Sequence, residues 1–125
     1  MQRFLLVCGA GGLGSGARYL VGLAADRLGE TLPWGTLIVN IAGSFLIAVV
    51  YGLARREVPV LSTDAALVLA TGFLGGFTTY SAFNYQTTDL ATQGHAGRAV
   101  INVVVTLVGC LAAGLAGVWL ARRIS

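Results

Sequence analysis

Charge is what this sequence has least of. Only 10% of its 125 residues are charged, lysine does not occur, and no aspartate or glutamate falls in the middle of a long apolar run. Missing intramembrane carboxylates argue against a proton-coupled carrier and against a cation path lined by acids. The single histidine, His95, stands in a short polar stretch with no second ligand nearby in sequence, which argues against a metal centre or histidine catalysis. The two cysteines, Cys8 and Cys110, sit in separate apolar runs without CxxC spacing and read as small hydrophobes. A hydrolase built on Ser44 or Ser81 would need a base within hydrogen-bond reach, and none shares their depth. No nucleotide-binding loop is present either, so the chain fits a channel better than a pump or an enzyme.

Apolar residues fill the space that charge leaves. They make up 56% of the chain, with a mean hydropathy of +0.81. Windows of about twenty apolar residues, the length that crosses a bilayer, fall at about 4–24, 34–54, 64–92 and 99–121. The connections are each under ten residues, so residues 1–125 read as a single all-α domain of four antiparallel transmembrane helices. The first run continues past Gly16 and is expected to be retained as a span rather than cleaved. A net charge of +3 comes from arginines at the span ends, where they reach headgroups; this is a poor pattern for nucleic acid. Arg3, Arg55, Arg56, Arg122 and Arg123 share one side and Arg27 and Arg98 the other, which leans towards both termini in the cytoplasm.

Small residues recur at four-residue spacing. Gly12 and Gly16, Ala10 and Gly14, and then Gly109, Ala113 and Gly117 give faces on which helices can approach closely in lipid. Thr36, Asn40 and Ser44 line one face of the second span, with Gly43 beside them. An amide at that depth either bonds a neighbouring helix or faces a wet pathway. Asn102 and Thr106 form a weaker line in the fourth span, read as interhelical hydrogen bonding. Arg18 is either an interfacial anchor or the lining of a wet vestibule that draws anions inward.

The third span is badly built for a continuous helix. Its centre, TGFLGGFTTYSAFNY from Thr71, carries Gly75-Gly76 and Thr78-Thr79, each glycine costing about 1 kcal/mol relative to alanine. A break is expected there. Irregular backbone at membrane depth persists only when it is buried in protein or lines a cavity. Freed carbonyls can hold a cation, and a new helix start offers N–H groups to an anion. Beyond the break, Tyr80, Phe83, Asn84 and Thr87 share a face, with Ser81 alongside.

WGTLIVNIAGSFLIA followed by TGFLGGFTTYSAF, after a glycine-rich start ending in GARY, resembles the signature regions of the Fluc, or CrcB-type, fluoride channel family over the whole chain. The resemblance implies an antiparallel, dual-topology homodimer in the cell inner membrane that exports fluoride passively. It implies two fluoride paths and one structural sodium ion at the dimer interface, held by the main-chain carbonyls of Gly75 and Thr78. Its anion pathway would run along Asn40, Tyr80, Ser81, Phe83 and Arg18. Three positions depart from the family's pattern: Tyr80 where phenylalanine is usual, Ala82 where a threonine hydroxyl is usual, and Gln86 where glutamate is common. Those departures, with the arginine bias, keep open a weakly conducting or non-conducting half of a heterodimer. A small multidrug exporter would need an acid within the first span, and Asp26 comes only at its end.

Overall fold

The computed structural model describes residues 1–55 and 61–124, which leaves Arg56 outside the described residues. Among them all regular structure is helical, in four spans long and apolar enough to cross a membrane. The first helix, α1, covers Gln2–Ala25 and closes with a tight turn at Asp26–Leu28. Gly29 ends that turn at φ +88°, a conformation that glycine adopts without strain. The second, α2, is Trp34–Ala54, entered through Pro33, which has no N–H to leave unpaired at a helix start. The third span has two pieces, α3 over residues 63–77 and α4 over Tyr80–Thr92. The fourth span, α5, is Ala96–Arg123, reached through a turn at Gly94 with φ +85°.

Two tight pairs organise the bundle, α1 with α3 and α2 with α5. Both depend on glycine. A Cβ on Gly14 would collide with the main chain of Phe73 and Phe77, and one on Gly76 with the main chain of Gly11. Across the bundle, a Cβ on Gly109 would lie 2.7 Å from Ile41 Cδ1, and Gly117 lies against the Phe45 carbonyl. In lipid, attraction between helices comes from such close packing, because the surrounding tails are as apolar as the side chains. Gly12 and Gly16, expected as a packing pair, have nothing within 4 Å of a built Cβ. The contact belongs to Gly14, with Ala10 close to Gly72, one face further round the helix. A compact apolar cluster of Val39, Leu74 and Phe77 fills the junction of α2 and α3, with Phe73 stacked on Phe77 at 5.9 Å.

α3 begins at Ser62, whose Oγ accepts the Ala65 N–H at 3.2 Å. It widens into a π-helix over Val68–Leu74 and ends with the turn Gly75–Phe77. Thr78 and Thr79 are then extended, with ψ 159° and 111°. The break therefore falls within the expected stretch, at its threonines, while Gly75 is still helical at φ −63°, ψ −36°. Glycine at 72 and 76 serves the approach of α1, and the interruption itself is made at the threonines. α4 restarts from Thr79, whose Oγ1 accepts the Ala82 N–H at 3.2 Å.

The arginine asymmetry is visible at the ends. Arg3 pairs with Asp64 at 3.0 Å, tying the starts of α1 and α3, although both groups are too exposed for the pair to contribute much stability. Arg55 lies 5.8 Å from the Tyr51 ring and Arg123 4.8 Å from the Trp119 ring. Both cations thus sit on aromatic faces at one end of the bundle.

Candidate functional site

The break is held from outside its own span. Asn40 Oδ1 accepts the Thr79 N–H at 2.8 Å, and Asn40 Nδ2 donates to the Thr79 carbonyl at 3.1 Å. One amide side chain thus satisfies both main-chain groups of an extended residue at membrane depth, where neither has water. Asn40 is 9% exposed and Thr79 8%. Of the two roles open to Asn40, it fills the first, and an amide nitrogen carries two hydrogens, so one remains beyond the Thr79 bond. Ser44 Oγ donates back to the Asn40 carbonyl at 2.7 Å and fixes the next turn of the same face.

This bridge has a second effect. In a continuous helix the Thr79 N–H would reach the Gly75 carbonyl and the Ala82 N–H the Thr78 carbonyl. Asn40 takes the first donor and Thr79 Oγ1 the second. The Gly75 and Thr78 carbonyls are therefore freed by named competitors, and Gly75 is exposed on the surface of the single chain. Two neutral carbonyl oxygens are hard donors suited to an alkali cation, and among the described residues no cluster of His, Cys, Asp or Glu could hold a metal instead.

A cavity of ≈ 400 Å³ opens beside the break, lined by Asn40, Ser44, Thr78, Tyr80, Phe83 and Thr106 among others. Phe83 is buried at 8%, whereas Tyr80 is 77% exposed, with the two ring centroids 5.7 Å apart and the planes tilted by 52°. Ring edges are electropositive, so Phe83 and the spare hydrogen of Asn40 give a wall that favours an anion. Among the described residues no carboxylate lines this cavity. Ser81 is not part of it; its Oγ lies 3.2 Å from Thr79 Oγ1 at the helix start. Ala82 supplies no donor, as its side chain dictates.

Thr106 is a residue whose role the sequence reading missed. Among the described residues its Oγ1 has no hydrogen-bond partner and is closed off, while the residue's other atoms line the cavity. Asn102, one turn earlier, does bridge: its Nδ2 donates to Thr87 Oγ1 at 2.8 Å, joining α5 to α4. Thr87→Val should therefore lower stability by about 0.6–1.7 kcal/mol, the range for polar contacts within membranes, measured as a shift in thermal aggregation in detergent. Asn84, placed on the same face by spacing, is exposed.

Arg18 lies elsewhere, in a cavity of ≈ 460 Å³ together with Thr36, Trp34, Gln86 and the carboxylates Asp26, Glu30 and Asp89. Arg18 sits two turns deeper along α1 than Asp26, so the opening has an acidic rim and a basic floor. No carboxylate among the described residues comes within ion-pair distance of Arg18. Thr36, Asn40 and Ser44 follow one another on α2, the first lining the cavity with Arg18 and the other two the cavity beside the break.

The chain is similar to known proteins over nearly its whole length. The profile of the family described as CrcB-like protein, Camphor Resistance (CrcB), matches residues 5–118. The fluoride-specific ion channel FluC of Anaeromyxobacter dehalogenans is 48% identical over 98% of this chain and 97% of its own length. Proteins of the same name from Chelativorans sp. and Leptospira interrogans are 42% and 40% identical, each over at least 98% of this chain and 96% of their own length.

Proposed function

Because the chain belongs to the CrcB family, we propose that it is a fluoride-selective channel, which lets cytoplasmic fluoride leave passively down its electrochemical gradient. It is a multi-pass membrane protein of the plasma membrane and not an enzyme. The observation that carries the reading is the Asn40 bridge: one side chain opens the third span, frees its carbonyls and presents a donor to a carboxylate-free cavity. Fluoride holds its water strongly, so a path for it must offer several donors at once without trapping it. Arg18 raises the local concentration of anions in its cavity. From there Thr36 and Asn40 lead the ion past the edge of Phe83, with Tyr80 and Ser81 at the outer face.

Tyr80, Ser81 and Gly75 are exposed on the single chain, which supports a second copy completing the wall. An inverted copy about a two-fold axis would double the freed carbonyls of Gly75 and Thr78 to four oxygens, a set that fits a sodium ion. Such an ion supplies a fixed positive charge between the two paths and links the copies. Exchange of sodium for N-methylglucamine during purification should shift the protein from dimer towards monomer on size-exclusion chromatography.

Purified protein in liposomes should release fluoride, read by a fluoride electrode, and negligible chloride. Equal fluxes of the two ions would end the selectivity claim. Phe83→Ile removes the aromatic edge at similar volume and should slow fluoride efflux at least about tenfold, the loss expected from removing one interaction worth about 1.4 kcal/mol.

A further inference from the structure

A third cavity takes no part in the pathway. It measures ≈ 550 Å³ and opens between the C-terminal ends of α2 and α5, at the end of the bundle opposite Arg18. Gly52 lets the two helices meet there, since a Cβ on it would lie 2.5 Å from Ala121 Cβ. The approach brings Arg55 and Arg122 to one opening, and among the described residues no carboxylate lines it. Tyr51 lines it as well, with its ring 5.8 Å from the Arg55 guanidinium. An aromatic face steadies such a cation without neutralising it.

Depth identifies the surroundings. The 21 residues of α2 rise about 31 Å at about 1.5 Å each, close to the hydrocarbon thickness of about 30 Å, so Arg55 stands where tails give way to headgroups. Ala48 and Val118 line the same cavity from the tail side, Ala48 lying about 10 Å deeper along its helix than Arg55. The cavity thus has a cationic mouth and an apolar wall.

Charge restricts the occupant further. A helix C-terminus carries about half a negative charge, so two of them offset about one of the two guanidiniums. About one positive charge is left over. A phosphodiester carries one negative charge and offers oxygens that a guanidinium binds as a fork, while the glycerol and first methylenes below it suit the wall of Ala48 and Val118. Inorganic phosphate has the oxygens but nothing to set against that wall. Phosphatidylcholine has the wall contact but brings a cation of its own.

We propose that this cavity binds the headgroup of an anionic phospholipid, with Arg55 and Arg122 on its phosphate. The site is separate from the fluoride pathway and does not rest on it.

The purified chain in detergent is titrated with phosphatidylglycerol or with phosphatidylcholine of the same acyl chains, and bound lipid is counted by native mass spectrometry. The expected result is saturable retention of phosphatidylglycerol, with half-saturation at least about tenfold lower than for phosphatidylcholine. Arg55→Gln with Arg122→Gln should abolish that preference. Arg27→Gln with Arg98→Gln removes the same charge at the opposite end and should preserve it. Equal retention of the two lipids by the native chain overturns the site, as does an equal loss in both double variants, which would assign the preference to net charge. Displacement of phosphatidylglycerol by millimolar inorganic phosphate overturns the lipid as occupant. Should the first double variant fail to assemble, Arg55→Gln against Arg27→Gln decides by the same comparison.

Discussion

Asn40→Asp should reduce fluoride efflux to the level of empty vesicles. The substitution preserves shape but replaces a donor with a second acceptor, which then faces the Thr79 carbonyl that Asn40 Nδ2 now binds at 3.1 Å. An ionised carboxylate there also meets the permeating anion. At about 4 Å and an effective dielectric of about 20, the repulsion between two such charges is about 4 kcal/mol, on the order of a thousandfold in occupancy. A protonated carboxyl escapes the charge but still loses one of two donors. Comparison with Asn40→Ala separates the effects. Alanine leaves both Thr79 groups unpaired and should cost about 1–3 kcal/mol for each, so it acts mainly on the amount of assembled protein. Aspartate acts mainly on flux per assembled channel. Near-native efflux through Asn40→Asp would mean that the ion does not pass this side chain.

Gly14→Val and Gly76→Val should each prevent assembly of a stable bundle. At both positions the added Cβ meets main chain of the facing helix, Phe73 and Phe77 in one case and Gly11 in the other. Main chain cannot rotate away as a side chain can. Overpacking of this kind costs about 1–3 kcal/mol in general, and the γ-carbons of valine add to it by forcing α1 and α3 apart. Gly12→Ala is the counterpart, since nothing lies within 4 Å of its Cβ. Recovery of folded protein after extraction, followed by thermal aggregation, should drop sharply for the first two and hold for the third. A loss at Gly12 comparable with that at Gly14 would mean that a second copy covers this face.

Hydropathy was enough to place the four spans, because a bilayer imposes a length that few apolar residues can fall short of. Spacing was enough to put Thr36, Asn40 and Ser44 on one face. It could not say what that face met, since the partner of Asn40 lies 39 residues further on. For the same reason local propensity marks the stretch Gly75-Gly76 to Thr78-Thr79 but not the residue within it, since the extended conformation at Thr79 is fixed by a bond from α2. Tyr80 and Phe83 share a face by spacing and line the same cavity, but differ in burial, which spacing does not decide. Thr106 and Trp34 were missed as lining residues, and the available signal was weak: Thr106 lies four residues past Asn102, and Trp34 looks like an ordinary interfacial anchor.

Synthesis order gives the Asn40–Thr79 bridge one more consequence. α2 leaves the ribosome before the third span, so the amide is already resting in lipid when Thr79 arrives. The incoming segment need never expose a bare peptide group to hydrocarbon; it can uncoil against a partner that is waiting for it. A circular permutation that made the third span first would remove that partner at the moment it is needed.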